Sequence, residues 1–347
     1  MKADPTAPAR QSYADALAAK GASPLWDVLH DLVPERPAPT AKPCHWSYAE
    51  MRPLLMQAGE LISAEEAERR VLVLENPALA HQHALTPTLY GGLQLILPGE
   101  IARSHRHTQS AIRLVLEGSG AYTAVDGERV FMKRGDFITT PAWSWHDHGN
   151  PGSEPVTWLD GLDIPLVRAL GAQFAQNHQA KVQPIVATPG LSERRYARGL
   201  LPVKPLHSGA SSPLFSYPYE RTREALEWLS RHVAPDPHGG HALRFSNPTT
   251  GGPALPTMEA SVQWLPAGCA TLPSRSTESR VLCVIEGRAR IGVDAHPYAV
   301  EKNDVIVVPS WSALSIQALA DTAVFTYSDR PVLQSLALLR EDFPSPT

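Results

Sequence analysis

The sequence has little cysteine, little net charge and no long apolar segment. Its 347 residues include three cysteines, an odd number without paired spacing, which argues against a disulfide framework and favours a reducing cytoplasm. The net charge of -4 gives no overall attraction to nucleic acid or to an anionic membrane. No stretch approaches the ~18 apolar residues of a membrane span, and the polar N-terminus does not resemble a targeting segment. We therefore expect a cytoplasmic protein without nucleic-acid or membrane partners.

Proline and glycine, by contrast, are abundant. The 33 prolines and 23 glycines disfavour a helix bundle, because both residues interrupt regular structure. Short apolar runs, separated by Gly, Pro and Asp, recur about every ten residues from position 85 to 162 and again from 252 to 330, as in a β-sandwich or barrel. Helices are indicated near 12–20, 50–61 and 222–232, and Ser63 with Glu66 resembles a capping box. The sequence predicts an all-β-dominated chain with a helical N-terminal segment and connector.

The two strand-rich regions are similar to each other in sequence. SHRHTQSAIRLVLEG at 104–118 aligns with PSRSTESRVLCVIEG at 273–287, and RGDFITTPAWSWH at 134–146 aligns with KNDVIVVPSWSAL at 302–314. Two matched blocks in the same order predict two copies of one β-fold. The expected organisation is a partly helical segment (1–85), a metal-binding barrel (86–168), a connector (169–251) and a second barrel (252–347).

Three histidines of the first copy form a candidate metal site. His105 and His107 are two residues apart, so on a strand both imidazoles point to the same face. A neighbouring antiparallel strand can bring His146 alongside them. An isolated His-x-His pair is most often a solvated strand feature, but three neutral imidazoles suit a divalent transition metal and leave positions open for substrate. The second copy has Ser274, Ser276 and Leu314 at these positions, so we expect it to be a structural and oligomerising half without a metal.

The residues around these histidines resemble the two cupin motifs. The first motif is fitted by Gly99, His105, His107 and Gly118, and the second by Gly135, Pro141, His146 and Asn150. The resemblance implies double-stranded β-helix (jelly-roll) barrels with the metal inside the first. The usual glutamate ligand would fall at Ala111, which cannot bind metal, so the resemblance implies a three-histidine site.

Further sequence stretches resemble one particular family of cupin proteins. Residues 93–100, 104–110, 143–148, 247–258, 308–311 and 327–330 resemble gentisate 1,2-dioxygenase and its salicylate-cleaving relatives, a resemblance that extends from about residue 50 to 335. It implies one Fe(II) per chain in the first barrel, an aromatic hydroxy-acid substrate, O2 as co-substrate and a homotetramer. It also implies cleavage of gentisate between its carboxyl- and 2-hydroxyl-bearing carbons, both atoms of O2 entering maleylpyruvate. Spacing alone would equally allow Mn, Zn, Ni or Cu.

The resemblance also implies roles for individual residues. Arg113 would pair with the substrate carboxylate, and it lies six residues after His107, on the same face if one regular strand joins them. Of Arg69 and Arg70, which precede a strand-like run, alternation allows only one to face the site, and we favour Arg69. The remaining assignments are Gln94 for a substrate or oxygen contact, Tyr90 for the pocket wall, His148 for proton transfer and Asp160 for the ring substituent para to the 2-hydroxyl. The catalytic residues would be His148, Arg113 and Asp160.

Other functions fit the same sequence. Salicylate, substituted salicylates or 1-hydroxy-2-naphthoate could replace gentisate, because such pockets differ by single side chains. A metal-dependent isomerase or an oxygen-independent hydrolase could use the same barrel. A non-enzymatic bicupin sensor is a further alternative, although the first 85 residues contain no basic recognition helix.

Overall fold

A computed structural model describes residues 6–204 and 209–344. The predicted segments 1–85, 169–251 and 252–347 include residues 1–5, 205–208 and 345–347, which lie outside the described residues. The chain divides into two compact units after residue 38. The first contains α1 (Ala7–Ala18) and α2 (Leu25–Leu32), where the rings of Tyr13 and Trp26 stack with centroids 6.5 Å apart. No described helix is both long and apolar enough to cross a membrane.

The second unit begins with a short strand-helix-strand segment. Its elements are β1 (Cys44–Trp46), α3 (Tyr48–Leu61), α4 (Ala64–Ala67) and β2 (Val71–Val73). The helix predicted at 50–61 is confirmed. The Oγ of Ser63 accepts a hydrogen bond from the N–H of Glu66 at 3.1 Å, so Ser63 caps α4 as its sequence pattern predicts.

Eight strands of the first barrel follow. They are β3 (Tyr90–Ile96), β4 (Ile101–His107), β5 (Ala111–Glu117), β6 (Ser119–Val125), β7 (Glu128–Lys133), β8 (Phe137–Thr140), β9 (His146–Gly149) and β10 (Val156–Leu162). The chain then forms α5 (Ile164–Ala169), β11 (Ala175–Asn177), α6 (Leu191–Tyr196), β12 (Ser216–Tyr217), α7 (Tyr219–His232) and β13 (His241–Arg244).

The second barrel repeats the order of the first. Its elements are β14 (Glu259–Leu265), β15 (Arg275–Ser276), β16 (Arg280–Glu286), β17 (Arg288–Val293), β18 (His296–Glu301), β19 (Val305–Val308), β20 (Leu314–Ala318), β21 (Thr322–Ser328), α8 (Arg330–Ser335) and β22 (Glu341–Asp342). Strands β3–β10 thus correspond one by one to β14–β21. The two-barrel, predominantly β fold predicted from the sequence is confirmed.

Each barrel consists of two facing layers. In the first, β12-β8-β5-β10-β3-β2 faces β11-β4-β9-β6-β7. In the second, β1-β19-β16-β21-β14-β13 faces β18-β17-β20, and β15 pairs with β22. The antiparallel pairs leave one face of each sheet directed into its barrel and the other outward.

The two copies exchange their first strands. Strand β1 pairs with β19 of the second barrel, whereas β12, in the matching place before α7, pairs with β8 of the first barrel. The N-terminal residue of each following helix anchors the exchange, because the N–H of Tyr48 donates to Asp304 (2.8 Å) and the N–H of Tyr219 donates to Asp136 (2.9 Å). The repeat therefore includes the strand and helix before each barrel. These lie in the predicted N-terminal segment (1–85) and in the predicted connector (169–251).

A second pair of reciprocal hydrogen bonds joins the barrels. The hydroxyl of Thr88 donates to Asp329, and that of Thr257 donates to Asp163, each at 2.5 Å. Between the barrels, the outer faces of the two six-stranded sheets form one apolar core in which the rings of Phe137 and Phe325 lie 5.5 Å apart. Burial of this continuous apolar area is the main stabilising term for the two-barrel body.

The turn after β5 imposes a sharp steric requirement. Gly118 has a φ of +81°, and a Cβ at this position would lie 2.4 Å from the carbonyl oxygen of Pro155. Gly99 has nearly the same φ, +79°, but a Cβ there would have no atom within 4 Å. Gly118 is therefore needed for close approach of two backbones, and Gly99 only for its left-handed conformation.

We expect Gly118→Ala to lower the free energy of unfolding by at least about 2 kcal/mol more than Gly99→Ala. A Cβ at positive φ destabilises both variants, but only the Cβ of Gly118→Ala also clashes with the backbone. Chemical denaturation of the two variants measures the difference. Equal losses of stability would show that the backbone at Pro155 moves away without cost.

Candidate active site

Three histidines converge on the inner face of the smaller layer of the first barrel. Strands β4 and β9 pair so that His105 lies directly opposite His146. His107 follows on the same face, and the ring centroids lie 4.3 Å (His105 to His146), 4.7 Å (His107 to His146) and 5.2 Å (His105 to His107) apart. One ring nitrogen of each lies within 4.8 Å of the others. This spacing lets all three imidazoles bind one metal ion.

Hydrogen bonds orient two of these rings. The Nδ1 atoms of His107 and His146 lie 2.9 Å from the carbonyl of Gln109 and 3.0 Å from that of Ser144. An Nδ1–H that donates to a carbonyl leaves Nε2 as a lone-pair donor toward the centre. Burial is the main reason that the pKa of His105 falls to about 3 and that of His107 to about 4. Both rings are therefore neutral at pH 7, the form that metals bind.

The two neighbouring arginines have different surroundings. Arg69 donates to the carbonyls of Glu68 (2.8 Å) and Arg103 (2.6 Å), and its guanidinium contacts the Nδ1 of His105. Arg70 points away and forms a two-pronged ion pair with Glu100, at 2.7 and 2.8 Å. Only one of the two arginines lies beside the histidines, and it is Arg69, the one favoured from the sequence.

The larger layer carries a buried ion pair opposite the histidines. Arg113 on β5 and Asp160 on β10 are register partners, and the Arg113 Nε lies 3.3 Å from an Asp160 carboxylate oxygen. A hydroxyl group fixes the guanidinium further, because Arg113 Nη1 donates to Thr140 at 2.6 Å. Burial raises the pKa of Asp160 to about 6, against the opposing effect of Arg113. The pair places one cation and one titratable carboxyl inside the barrel.

Arg113 does not lie on the same strand as His107, contrary to the prediction from their spacing. One regular strand would have joined them, but β4 ends at His107 and β5 begins at Ala111. The turn between them carries the chain from one layer to the other, so Arg113 faces the histidines across the barrel instead of lying beside them.

Gln94 and Tyr90 complete the wall formed by the larger layer. Gln94 is buried and pairs in register with Trp158 on one side and Val71 on the other, so it lies on a central strand and not at a sheet edge. Tyr90 lies on the same face four residues earlier. Asp160 is one of the charges that raise the pKa of Tyr90, after burial. These residues therefore share the face that carries Arg113 and Asp160.

His148 follows His146 on the same face of β9 and is fully enclosed. Its Nδ1 lies 3.0 Å from the hydroxyl of Thr123, and its ring centroid is 6.0 Å from that of His146. Thr123 and Thr140 are site residues that the sequence did not identify. In the sequence, each is only a threonine within a predicted strand. Their hydrogen bonds with His148 and Arg113 join residues far apart in the chain, which no local pattern indicates.

The corresponding place in the second barrel has different side chains. Ser274 pairs with Leu314, as His105 does with His146. Leu282, Ile316 and Leu314 belong to the apolar core of this barrel. Among the described residues, the three histidines of the first barrel form the only group with metal-binding spacing.

We expect the isolated protein to bind one divalent metal ion per chain, and His105→Ala or His146→Ala to reduce this to below about one-tenth, because two imidazoles hold such an ion weakly. Elemental analysis after metal loading measures the content. His296→Ala, an exposed histidine of the second barrel, is the control and should retain the full amount. Two ions per wild-type chain would contradict the assignment.

Comparison with known proteins agrees with this geometry. A cupin domain model matches residues 92–162. The chain is 43% identical over 332 residues to gentisate 1,2-dioxygenase 1 of Aquipseudomonas alcaligenes, covering 96% of each protein. It is 33% identical to 5-aminosalicylate 1,2-dioxygenase of a Comamonas species, covering 92% of this chain and 86% of that one.

A solved structure is similar over the whole chain. Salicylate 1,2-dioxygenase of Pseudoaminobacter salicylatoxidans, determined as adducts with gentisate, superposes with a TM-score of 0.93 at 35% identity and covers 100% of this chain and 96% of its own. The resemblance noted in the sequence is therefore confirmed. The chain belongs to the gentisate 1,2-dioxygenase family of ring-cleaving dioxygenases.

Proposed function

We propose that the protein is an Fe(II)-dependent dioxygenase that opens gentisate between the carboxyl- and 2-hydroxyl-bearing carbons, with O2, to maleylpyruvate. The proposal rests on one observation: two sets of side chains face each other across the first barrel. Three neutral imidazoles converge on one layer of the first barrel, and a buried Arg113–Asp160 pair faces them from the other. A molecule between the layers would contact a metal on one side and an arginine on the other.

The donor set fits iron. Three imidazoles add no negative charge, so a divalent ion would retain its full charge toward an anionic substrate, and three protein ligands leave positions open. Fe(II) bound by His105, His107 and His146 would supply a Lewis acid for the anionic substrate and a route by which electrons of the substrate ring reach O2. The protein's own part is to bind the acid, orient the ring and control the phenolic proton.

Two arginines are suited to bind the carboxylate. Arg113 is held by Thr140 and Asp160, and Arg69 is held by two backbone carbonyls. Both guanidiniums lie close enough to His105 to lower its pKa. Because these charges are anchored before substrate arrives, binding an aromatic carboxylate requires little reorganisation.

Asp160 is the residue best placed to distinguish gentisate from salicylate. Its pKa of about 6 keeps it mainly ionised at neutral pH, so it can accept a hydrogen bond from the additional ring hydroxyl of gentisate. Salicylate lacks that hydroxyl and would leave the buried carboxylate without this donor. The relatives named for gentisate are consistent with this preference.

His148 is suited to receive the proton of the 2-hydroxyl. The contact of its Nδ1 with Thr123 fixes the ring and leaves Nε2 available. A neutral, enclosed imidazole next to the metal ligands can take a proton from the bound phenol and return it later.

The substrate is tested by O2 uptake and product analysis with the Fe(II)-loaded protein on gentisate, salicylate, 5-aminosalicylate and 1-hydroxy-2-naphthoate. We expect kcat/KM for gentisate to exceed that for salicylate at least about tenfold. Asp160→Asn should lower the gentisate value by about tenfold and the salicylate value by less than about threefold, because only gentisate uses the carboxylate.

If another acid in this panel were cleaved faster than gentisate, that acid would be the substrate. No O2 uptake with any of the four acids, by protein that holds its full iron content, would overturn the proposal. Metal content measured on the same samples separates a failed active site from failed loading.

The role of His148 is tested by two variants. We expect His148→Gln to lower kcat by about 10²–10⁴-fold with KM for gentisate nearly unchanged, since the residue moves a proton and does not anchor the carboxylate. Thr123→Val should lower kcat less, by about tenfold, because the ring remains but loses its orienting partner. If His148→Gln instead raised KM and left kcat intact, His148 would be a binding residue.

A further inference from the structure

The second barrel contains a cavity where the first has its candidate active site. The site mouth in the first barrel, about 320 Å³, lies between α4, β4 and β11 and includes Arg69 and His105. A cavity of about 350 Å³ in the second barrel lies between the turn before β13, β15 and β22. Strands β4 and β11 pair with each other, as β15 and β22 do. The two cavities are therefore the same feature of the repeated fold.

Arg280 gives the second cavity a different chemistry. It is the first residue of β16 and lines the cavity, at the strand position that Ala111 occupies in the first barrel. The Nε and Nη2 atoms of Arg280 are buried and have no hydrogen-bond partner among the described residues. A guanidinium stays protonated in proteins, so a buried one requires oxygen acceptors.

The nearby carboxylates already have other partners. Glu278 and Glu341 both pair with Arg330, at 3.3 and 2.9 Å, and Glu259 pairs with Arg244 at 3.2 Å. A fourth carboxylate of the lining, Asp236, accepts hydrogen bonds from the N–H groups of His238 and Gly239 at 2.9 and 2.7 Å. Each carboxylate thus has a partner other than Arg280, which leaves the buried N–H groups of Arg280 for an oxygen acceptor of a ligand. Because four carboxylates and two arginines line the cavity, a ligand with more than one negative charge would be repelled.

The rest of the lining suits an organic ligand. Leu314, Ile316 and Phe343 supply apolar surface, and Ser274 adds a hydroxyl. A ring-sized molecule fits the volume, and ligand sites typically combine such walls with a few polar anchors. We propose that the cavity of the second barrel is a metal-free site for an aromatic monocarboxylate, whose carboxylate pairs with Arg280.

Binding of 4-fluorobenzoate to the full-length protein, followed by ¹⁹F NMR, tests this site. We expect a bound signal that persists in Arg113→Gln, since it does not come from the first barrel, and whose Kd rises at least about tenfold in Arg280→Gln. Arg290→Gln, an exposed arginine of the same barrel, is the matched control and should bind as the wild type does.

Arg280→Lys keeps the positive charge and tests the site even if the glutamine variant does not fold. We expect its Kd to lie between those of the wild type and Arg280→Gln, because an ammonium cannot make the two-pronged contact. A bound signal unchanged in a folded Arg280→Gln protein, or no bound signal up to about 10 mM ligand, would overturn the proposal and assign water as the partner of Arg280. Neither result would affect the proposed dioxygenase activity, because no readout uses it.

Discussion

The register between β4 and β9 is the constraint on which the candidate site depends. It sets His105 opposite His146, and the alternation of side chains along β4 then places His107 on the same face. A shift of one residue would direct these imidazoles out of the barrel. The same register in the second barrel sets Ser274 opposite Leu314, so an unchanged backbone arrangement yields a metal-binding barrel in one copy and a metal-free one in the other.

Charge is divided between the two layers of the first barrel. The smaller layer offers neutral imidazoles, whose pKa values burial keeps low, whereas the larger layer offers Arg113 with Asp160. The protein as a whole is slightly acidic, so attraction of an anionic substrate has to come from these local groups. In the second barrel Leu282 and Ile316 belong to the apolar core instead, and Arg280 lines the cavity with two buried guanidinium nitrogens that have no hydrogen-bond partner among the described residues.

Much of this was accessible from the sequence, because the informative patterns are local. The His-x-His pair, the motif glycines, the repeat and the Ser63 cap each involve residues that are close in sequence or two matched copies of such a block. What could not be predicted depends on pairing between distant strands. The exchange of β1 and β12 between the barrels, the Thr88–Asp329 and Thr257–Asp163 bonds and the partnership of Thr140 with Arg113 join residues that no local pattern connects. The misplacement of Arg113 beside His107 has the same origin, since a turn of three residues moved it to the opposite layer.

We propose that the three-histidine barrel carries out ring cleavage with O2, and isotope labelling tests this step. The most direct measurement loads the protein with Fe(II) under anaerobic conditions, adds gentisate and ¹⁸O2, and determines the label in the product by mass spectrometry. We expect a ring-opened product that contains both labelled oxygen atoms, and no such product from His105→Ala. An unlabelled or singly labelled primary product, or equal turnover by the variant, would contradict it.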